Sequence, residues 1–216
     1  QLRFPLLVSL LAVVAACSSS PKAPEPGPMP DLPDERVRLE RVWKVQVGGG
    51  PDALPQLRPA ITGQQVVAAS RDGVLAAHDA ETGRLQWRNK TRRPFTAGPA
   101  VGYGLVVAGT GKGELLAYDA VSGASRWAVQ LGAAVNAVPA LTAERVVALT
   151  ADGVVHMLDR SSGEQRWTYS TPVPPLSLRG SAGPVVLGSH VLVTSASGKL
   201  VRLDLETGMM EWEPRV

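Results

Sequence analysis

The chain has 216 residues, of which 44% are apolar and 19% charged, with 22 basic against 19 acidic side chains. That is the balance of a globular chain with a solvated surface. The small positive excess is not gathered into runs and no nucleic-acid motif accompanies it, which sets DNA and RNA binding aside. A single cysteine excludes an internal disulfide, so stability has to come from apolar packing.

The first 36 residues are not fold material. Arg3 precedes the apolar run LLVSLLAVVAA, residues 6–16, which is too short to span a bilayer as a helix and has the layout of a secretory signal over residues 1–16. The tetrapeptide Val14-Ala15-Ala16-Cys17 resembles the lipobox of bacterial lipoproteins. That resemblance implies cleavage before Cys17 and acylation of its thiol and amine. Several acyl chains, at about 0.8 kcal/mol per buried CH₂, make a stable anchor where one would not. Ser18 follows where an Asp would signal retention, which by analogy points to the outer membrane. From Cys17 to residue 36 the chain is a proline-rich linker, with Pro21, Pro24, Pro26, Pro28, Pro30 and Pro33, a composition that forms an extended spacer rather than a core.

Residues 37–216 repeat. DAETGRLQW (79–87) returns as DAVSGASRW (119–127), DRSSGEQRW (159–167) and DLETGMMEW (204–212). The repeated positions are Asp79, Gly83 and Trp87; Asp119, Gly123 and Trp127; Asp159, Gly163 and Trp167; and Asp204, Gly208 and Trp212. A period of this size marks a repeat architecture. Each unit opens at a proline (Pro59, Pro99, Pro139, Pro184) and carries an x-Gly turn (Gly73, Gly113, Gly153, Gly198) between two Val- and Leu-rich runs of strand length. The reading is an all-β fold: a β-propeller of four-stranded antiparallel blades, about four in this chain. Each Asp is expected to accept backbone hydrogen bonds in the following turn, each Gly to supply positive φ, and each Trp to pack against a neighbouring blade. Trp43 stands alone and predicts a fourth-type strand without its first three. On that ground the chain reads as part of a longer ring; the alternative is a closed four-bladed ring with an accessory strand.

From proline to tryptophan every unit is 28 residues long. From tryptophan to the next proline the interval is 16 from Trp43 to Pro59, then 12, 12 and 17, so surplus residues fall only in the blade-to-blade connections, five of them in TPVPPLSLRGSAG, residues 171–183. Insertions confined to one type of connection map to one face, where loops often bind. Leu176 and Leu178 share one side of an extended stretch, and Arg179 adds a fork of donors beside them. They can form a docking patch stiffened by proline, or the leucines can tuck back over the blade while Arg179 caps a carbonyl.

The Asp-x-x-x-Gly-x-x-x-Trp units resemble the quinoprotein-like (PQQ-type) propellers, and together with the VAAC lipobox, the proline linker and PPLSLRG the chain resembles the BamB family of the bacterial β-barrel assembly (BAM) machinery. The resemblance implies an eight-bladed propeller, a scaffold lipoprotein on the periplasmic side of the outer membrane, without cofactor. It would bind the barrel-inserting subunit BamA, with unfolded outer-membrane proteins as further partners. In this family the Leu-x-Leu-Arg motif contributes to the BamA contact, which carries over to Leu176, Leu178 and Arg179. A second, acidic loop of the family would lie beyond Val216.

Two other classes compete. A PQQ-dependent dehydrogenase needs an adjacent Cys pair, a Ca²⁺ site and an Asp base; here Cys17 is alone, the repeat aspartates sit at equivalent turn positions, and His78, His156 and His190 lack metal-ligand spacing. GTGKGE (109–114) lacks the Walker spacing and aligns with the hairpin turns of the other units. A ligand-binding propeller has no feature of its own in its favour. The expectation is therefore a protein that is not an enzyme.

Overall fold

The computed structural model of the chain describes residues 27, 40–49, 57–171, 182–194 and 198–212. Residues 1–40 and 41–216 form separate units, and the fold described is that of the second. Apart from Gly27, the signal, Cys17 and the linker to residue 36 lie outside the described residues.

Sixteen strands build four antiparallel sheets of four, and the described residues include no helix. The first blade holds β1 (Ala60–Thr62), β2 (Gln65–Ala69), β3 (Val74–Asp79) and β4 (Leu85–Lys90). The second holds β5 (Ala100–Gly102), β6 (Leu105–Gly109), β7 (Glu114–Asp119) and β8 (Ser125–Gln130). The third holds β9 (Ala140–Leu141), β10 (Arg145–Leu149), β11 (Val154–Asp159) and β12 (Gln165–Ser170). The fourth holds β13 (Val185–Leu187), β14 (His190–Thr194), β15 (Leu200–Asp204) and β16 (Met210–Trp212). Every sheet is a meander in sequence order. The first strands adjoin one another from blade to blade, β1 to β5 to β9 to β13, so they face a common hub and the fourth strands lie outermost. Each proline immediately precedes a first strand, where its missing N–H removes no ladder bond.

The apolar cores lie between the sheets, not within them. Val67, Leu75, Ala77 and Trp87 of the first blade close against Val106, Ala108, Leu116 and Tyr118 of the second. Equivalent clusters join the second blade to the third and the third to the fourth. A sheet covered on both faces buries successive residues rather than alternate ones. All five residues of β6 are buried, as are four of the six in β7 and β11. This is why these strands read as near-continuous Val, Leu and Ala runs. In the fourth blade β14 and β15 bury only alternate positions, and Val185, Leu187 and Met210 are exposed, because among the described residues only the third blade packs against it.

One joint repeats at every boundary. The Trp87 indole packs on Gly123 of the next blade, Trp127 on Gly163 and Trp167 on Gly208; a Cβ on those glycines would sit 2.7, 2.8 and 2.6 Å from the ring carbons. Each indole N–H donates across the boundary to the carbonyl of the residue after the repeat Asp: Ala120 (2.9 Å), Arg160 (2.9 Å) and Leu205 (2.9 Å). The glycines are doubly required, since φ lies between +70 and +76° at all of these turns, a region that L side chains adopt only under strain. Trp43 makes the same contact with Gly83 and donates to Ala80 O at 3.0 Å. Residues 40–49 pair with no described strand, as a fourth-type strand without its first three would, and Trp43 docks by its ring and N–H.

A β-bulge aims the tryptophans. In each blade the pairing of the third and fourth strands slips by one residue next to the Trp: Ala77 faces Trp87 but His78 faces Leu85, and the same slip recurs at Ala117/Tyr118, Met157/Leu158 and Arg202/Leu203. The extra residue (Gln86, Arg126, Arg166, Glu211) turns outward, and the local twist carries the indole over the boundary. Arg126 uses this position to pair with Asp119 at 2.6 Å.

The repeat aspartates organise the turns on which the indoles rest. Asp119 Oδ1 accepts from Ser122 N (2.8 Å), Ser122 Oγ (2.9 Å) and Val121 N (3.1 Å). Asp79 holds Thr82, Asp159 holds Ser161 and Ser162, and Asp204 holds Thr207 in the same manner. These bonds favour the ionised carboxylate, so all four carboxyls lie below the ordinary 3.8, by the Thr or Ser hydroxyl bond first at Asp79, Asp159 and Asp204, and by the Arg126 bond first at Asp119.

Two outcomes follow for unfolding in urea. Trp127→Ala should lower stability by about 3–5 kcal/mol, and Gly163→Ala by about 1–2 kcal/mol from φ strain and by more from the clash of its Cβ with the Trp127 ring. The double variant should cost clearly less than the two added, because the ring that obstructs the new Cβ is gone; strict additivity would contradict the joint. The depressed Asp carboxyls stabilise the fold fully above their unfolded value near pH 4, and that contribution is progressively lost over the acid window below it. The urea midpoint should therefore drop across that window, and less steeply in Asp119→Asn.

Candidate functional site

The blade bodies are uniform, so individuality resides in the connections between them. The first two described connections, residues 91–99 and 131–139, have the same length and the same anchoring. Each begins by returning to the β-hairpin of its own blade: Thr91 N donates to Gly73 O and Leu131 N to Gly113 O, both at 2.8 Å. Each then drops an apolar side chain beneath the rim of the next blade. Phe95 bridges Thr110, Val135 bridges Thr150, and both side chains are fully buried. Gly109 leaves room for Val135, whose atoms any side chain there would overlap.

The third connection, residues 171–184, is longer by five residues and begins and ends in the same way. Thr171 is buried, with its N–H donating to Gly153 O at 2.9 Å and its hydroxyl at 2.8 Å. At the far end Gly183 lies against the Val138 carbonyl, as Gly98 lies against that of Arg58; a Cβ on either would come within 2.5 Å of the oxygen. Leu176, Leu178 and Arg179 lie outside the described residues.

Of the other residues singled out from the sequence, the repeat Asp, Gly and Trp positions sit in the joints described above. Trp212 is half-exposed on the outermost strand of the fourth blade, with no described turn against it. The histidines are held within their own blades. His78 is buried and its Nδ1–H donates to Gly83 O at 3.0 Å. His156 Nδ1 faces Gln165 Oε1 at 2.8 Å. His190 lies beside Arg202 (2.6 Å) and Glu211 (3.1 Å). Among the described residues no three His, Cys, Asp or Glu side chains gather as metal ligands. Residues 110–113 of GTGKGE form the β6–β7 turn, closed by Gly113 N to Thr110 O at 3.1 Å.

Sequence reasoning missed one cluster. Arg92, Arg93 and Pro94 from the first connection meet Thr110, Lys112, Glu114 and Gln130 of the second blade around an open depression of about 360 Å³. Arg93 pairs with Glu114 at 3.4 Å, and Gln130 Nε2 donates to Lys112 O at 2.8 Å. The adjacent Arg92 and Arg93 and the distant Lys112 carry no motif; comparing equivalent positions of the repeats could have found them.

A family model described as "Outer membrane protein assembly factor BamB" matches residues 71–216. A protein of that name from Alkalilimnicola ehrlichii is 57% identical over 97% of this chain and 55% of its own length. Its namesake from Pseudomonas aeruginosa is 54% identical over 98% of this chain and 56% of its own length. The crystal structure of BamB from Moraxella catarrhalis superposes with a TM-score of 0.70 at 34% identity, covering 76% of this chain and 50% of that one. The chain spans about half the length of the curated relatives it matches. It belongs to the BamB family of outer-membrane protein assembly factors.

Proposed function

We propose that this chain, as a member of that family, is a non-enzymatic scaffold lipoprotein of the BAM complex, binding BamA and aiding the folding and insertion of outer-membrane proteins. The observation that carries the reading is the five-residue surplus in residues 171–184, a connection whose two ends are pinned by Thr171 and Gly183. A loop clamped at both ends loses little conformational freedom on docking, so a short Leu-x-Leu-Arg segment can suffice for recognition. Leu176, Leu178 and Arg179 are the proposed BamA contacts, carried over from the family motif. The shorter connections each bury one apolar plug, Phe95 or Val135, beneath the rim. Two leucines and five surplus residues allow the third connection to do the same and still offer a second apolar side chain to a partner.

Cys17 is the proposed lipid attachment point, residues 1–16 the signal and residues 17–36 the spacer that holds the propeller, residues 37–216, off the membrane. The protein would face the periplasm as part of an eight-bladed ring. A scaffold role accords with the chemistry of the described residues: the repeat aspartates are committed to turns and the histidines to contacts within their blades.

In a co-purification from detergent-solubilised membranes, Leu178→Asp and Arg179→Glu should release BamA while leaving the urea midpoint unchanged. Wild-type recovery of BamA by both variants would reject the loop assignment. If Leu176→Asp unfolds the protein and Leu178→Asp only releases BamA, Leu176 is the plug and Leu178 the contact. Cys17→Ala should move the protein from the membrane to the soluble fraction, read by fractionation.

A further inference from the structure

The depression between the first connection and the second blade is assembled from departures from the repeat: Arg92, Arg93 and Lys112 add positive charge, and Glu114 stands where the first and third blades carry Val74 and Val154. Arg92 has φ +57°, where the equivalent residue of the next connection is Gly132 at φ +95°. A bulky side chain at positive φ costs energy that glycine would avoid, and such a residue is worth relating to function. Arg93 stands where the next connection has Ala133; Gly73 meets the one and Gly113 the other at the same place in their hairpins. Lys112 stands where the first and third blades carry Asp72 and Asp152. Those aspartates accept hydrogen bonds from Ser70 and Thr150 in the hairpin, the latter at 2.6 Å. With Lys112 in that place the carboxylate is absent, and Thr110, which accepts from Glu114 N at 3.0 Å, borders a cationic depression instead.

Three cations thus converge with one carboxylate, Glu114, which is engaged by Arg93. Arg92 and Lys112 make no ion pair among the described residues. Gln130 fixes the Lys112 backbone through its carbonyl, and β4, with exposed Arg88 and Lys90, leads into the connection and adds to the local positive field. A carboxylate is satisfied by one guanidinium fork. Two forks and an ammonium arranged around one depression match a group with three or more anionic oxygens pointing in different directions. We propose that this depression binds a phosphate group, carried by a membrane-lipid headgroup or by a soluble phosphate compound.

The sibling blades supply the variants for the test. Lys112→Asp and Arg92→Gly install residues that the same fold already accommodates at equivalent positions, so both should fold, and Arg92→Gly should melt no lower than the parent. The full chain is used with Cys17→Ala, which removes the lipid anchor from the comparison. Calorimetric titration with inorganic phosphate at low ionic strength should show saturable binding, absent with chloride at equal ionic strength. Each single variant should weaken it about tenfold, and the double variant should abolish it. Sedimentation with vesicles of phosphatidylglycerol and phosphatidylcholine, against phosphatidylcholine alone, assigns the source. Variant-sensitive co-sedimentation with the anionic vesicles supports the lipid headgroup, and phosphate binding without co-sedimentation supports a soluble phosphate compound. No saturable phosphate binding by the parent, or equal binding by the double variant, overturns the proposal.

Discussion

An indole lying on a glycine turn of the next sheet is the contact on which this structure depends. None of the four-stranded sheets has a core of its own. Each is a thin layer whose two apolar faces must be covered, and the Trp–Gly joint sets how the next layer approaches. The ring supplies a large apolar contact, its N–H removes the one polar penalty of burying it, and the glycine supplies both the space and the left-handed backbone. The aspartate hydrogen bonds hold that turn in shape, and the bulge beside each Trp points the ring across the gap instead of into its own sheet. The motif Asp-x-x-x-Gly-x-x-x-Trp is therefore two halves of two different joints. Asp and Gly receive the previous blade, and Trp reaches for the following one.

This joint makes blade length rigid. Adding a residue between proline and tryptophan would move the indole off its turn or reverse the faces of the strands. Variation is tolerated only where the chain passes from one blade to the next, and even there the ends are fixed, by the return bond to the hairpin glycine and by the close approach of Gly98 or Gly183 to a neighbouring carbonyl. The surplus in the third connection is held between two such points. Membership of the BamB family gives that loop a proposed partner; the geometry explains why it can carry one without disturbing the blades.

A repeat also supplies its own control. Because neighbouring blades show what each position needs for folding alone, a residue that departs from its equivalents requires a separate reason. Arg92 in a glycine conformation and Lys112 in an aspartate position are departures of this kind, and they face the same depression. Trp212 and the exposed Val185 and Leu187 are different: they obey the repeat and lack only a described neighbour.

What the sequence by itself determined was whatever repeats. The period, the x-Gly hairpins, the prolines before the first strands and the Asp, Gly and Trp positions are local requirements of turn chemistry and strand length, so they leave the same mark in every unit. The all-β class, the four blades and the site of the surplus residues were legible for that reason. Trp43 showed the limit: its motif position marked the joint it makes with Gly83, but a strand needs a hydrogen-bonding edge, and residues 40–49 pair with no described strand. Tertiary structure alone decided that the cores lie between sheets, that a bulge aims each indole, and that Arg92, Arg93 and Lys112 meet. Those facts depend on surfaces brought together from different blades, and contacts of that range leave no period or spacing in a linear chain.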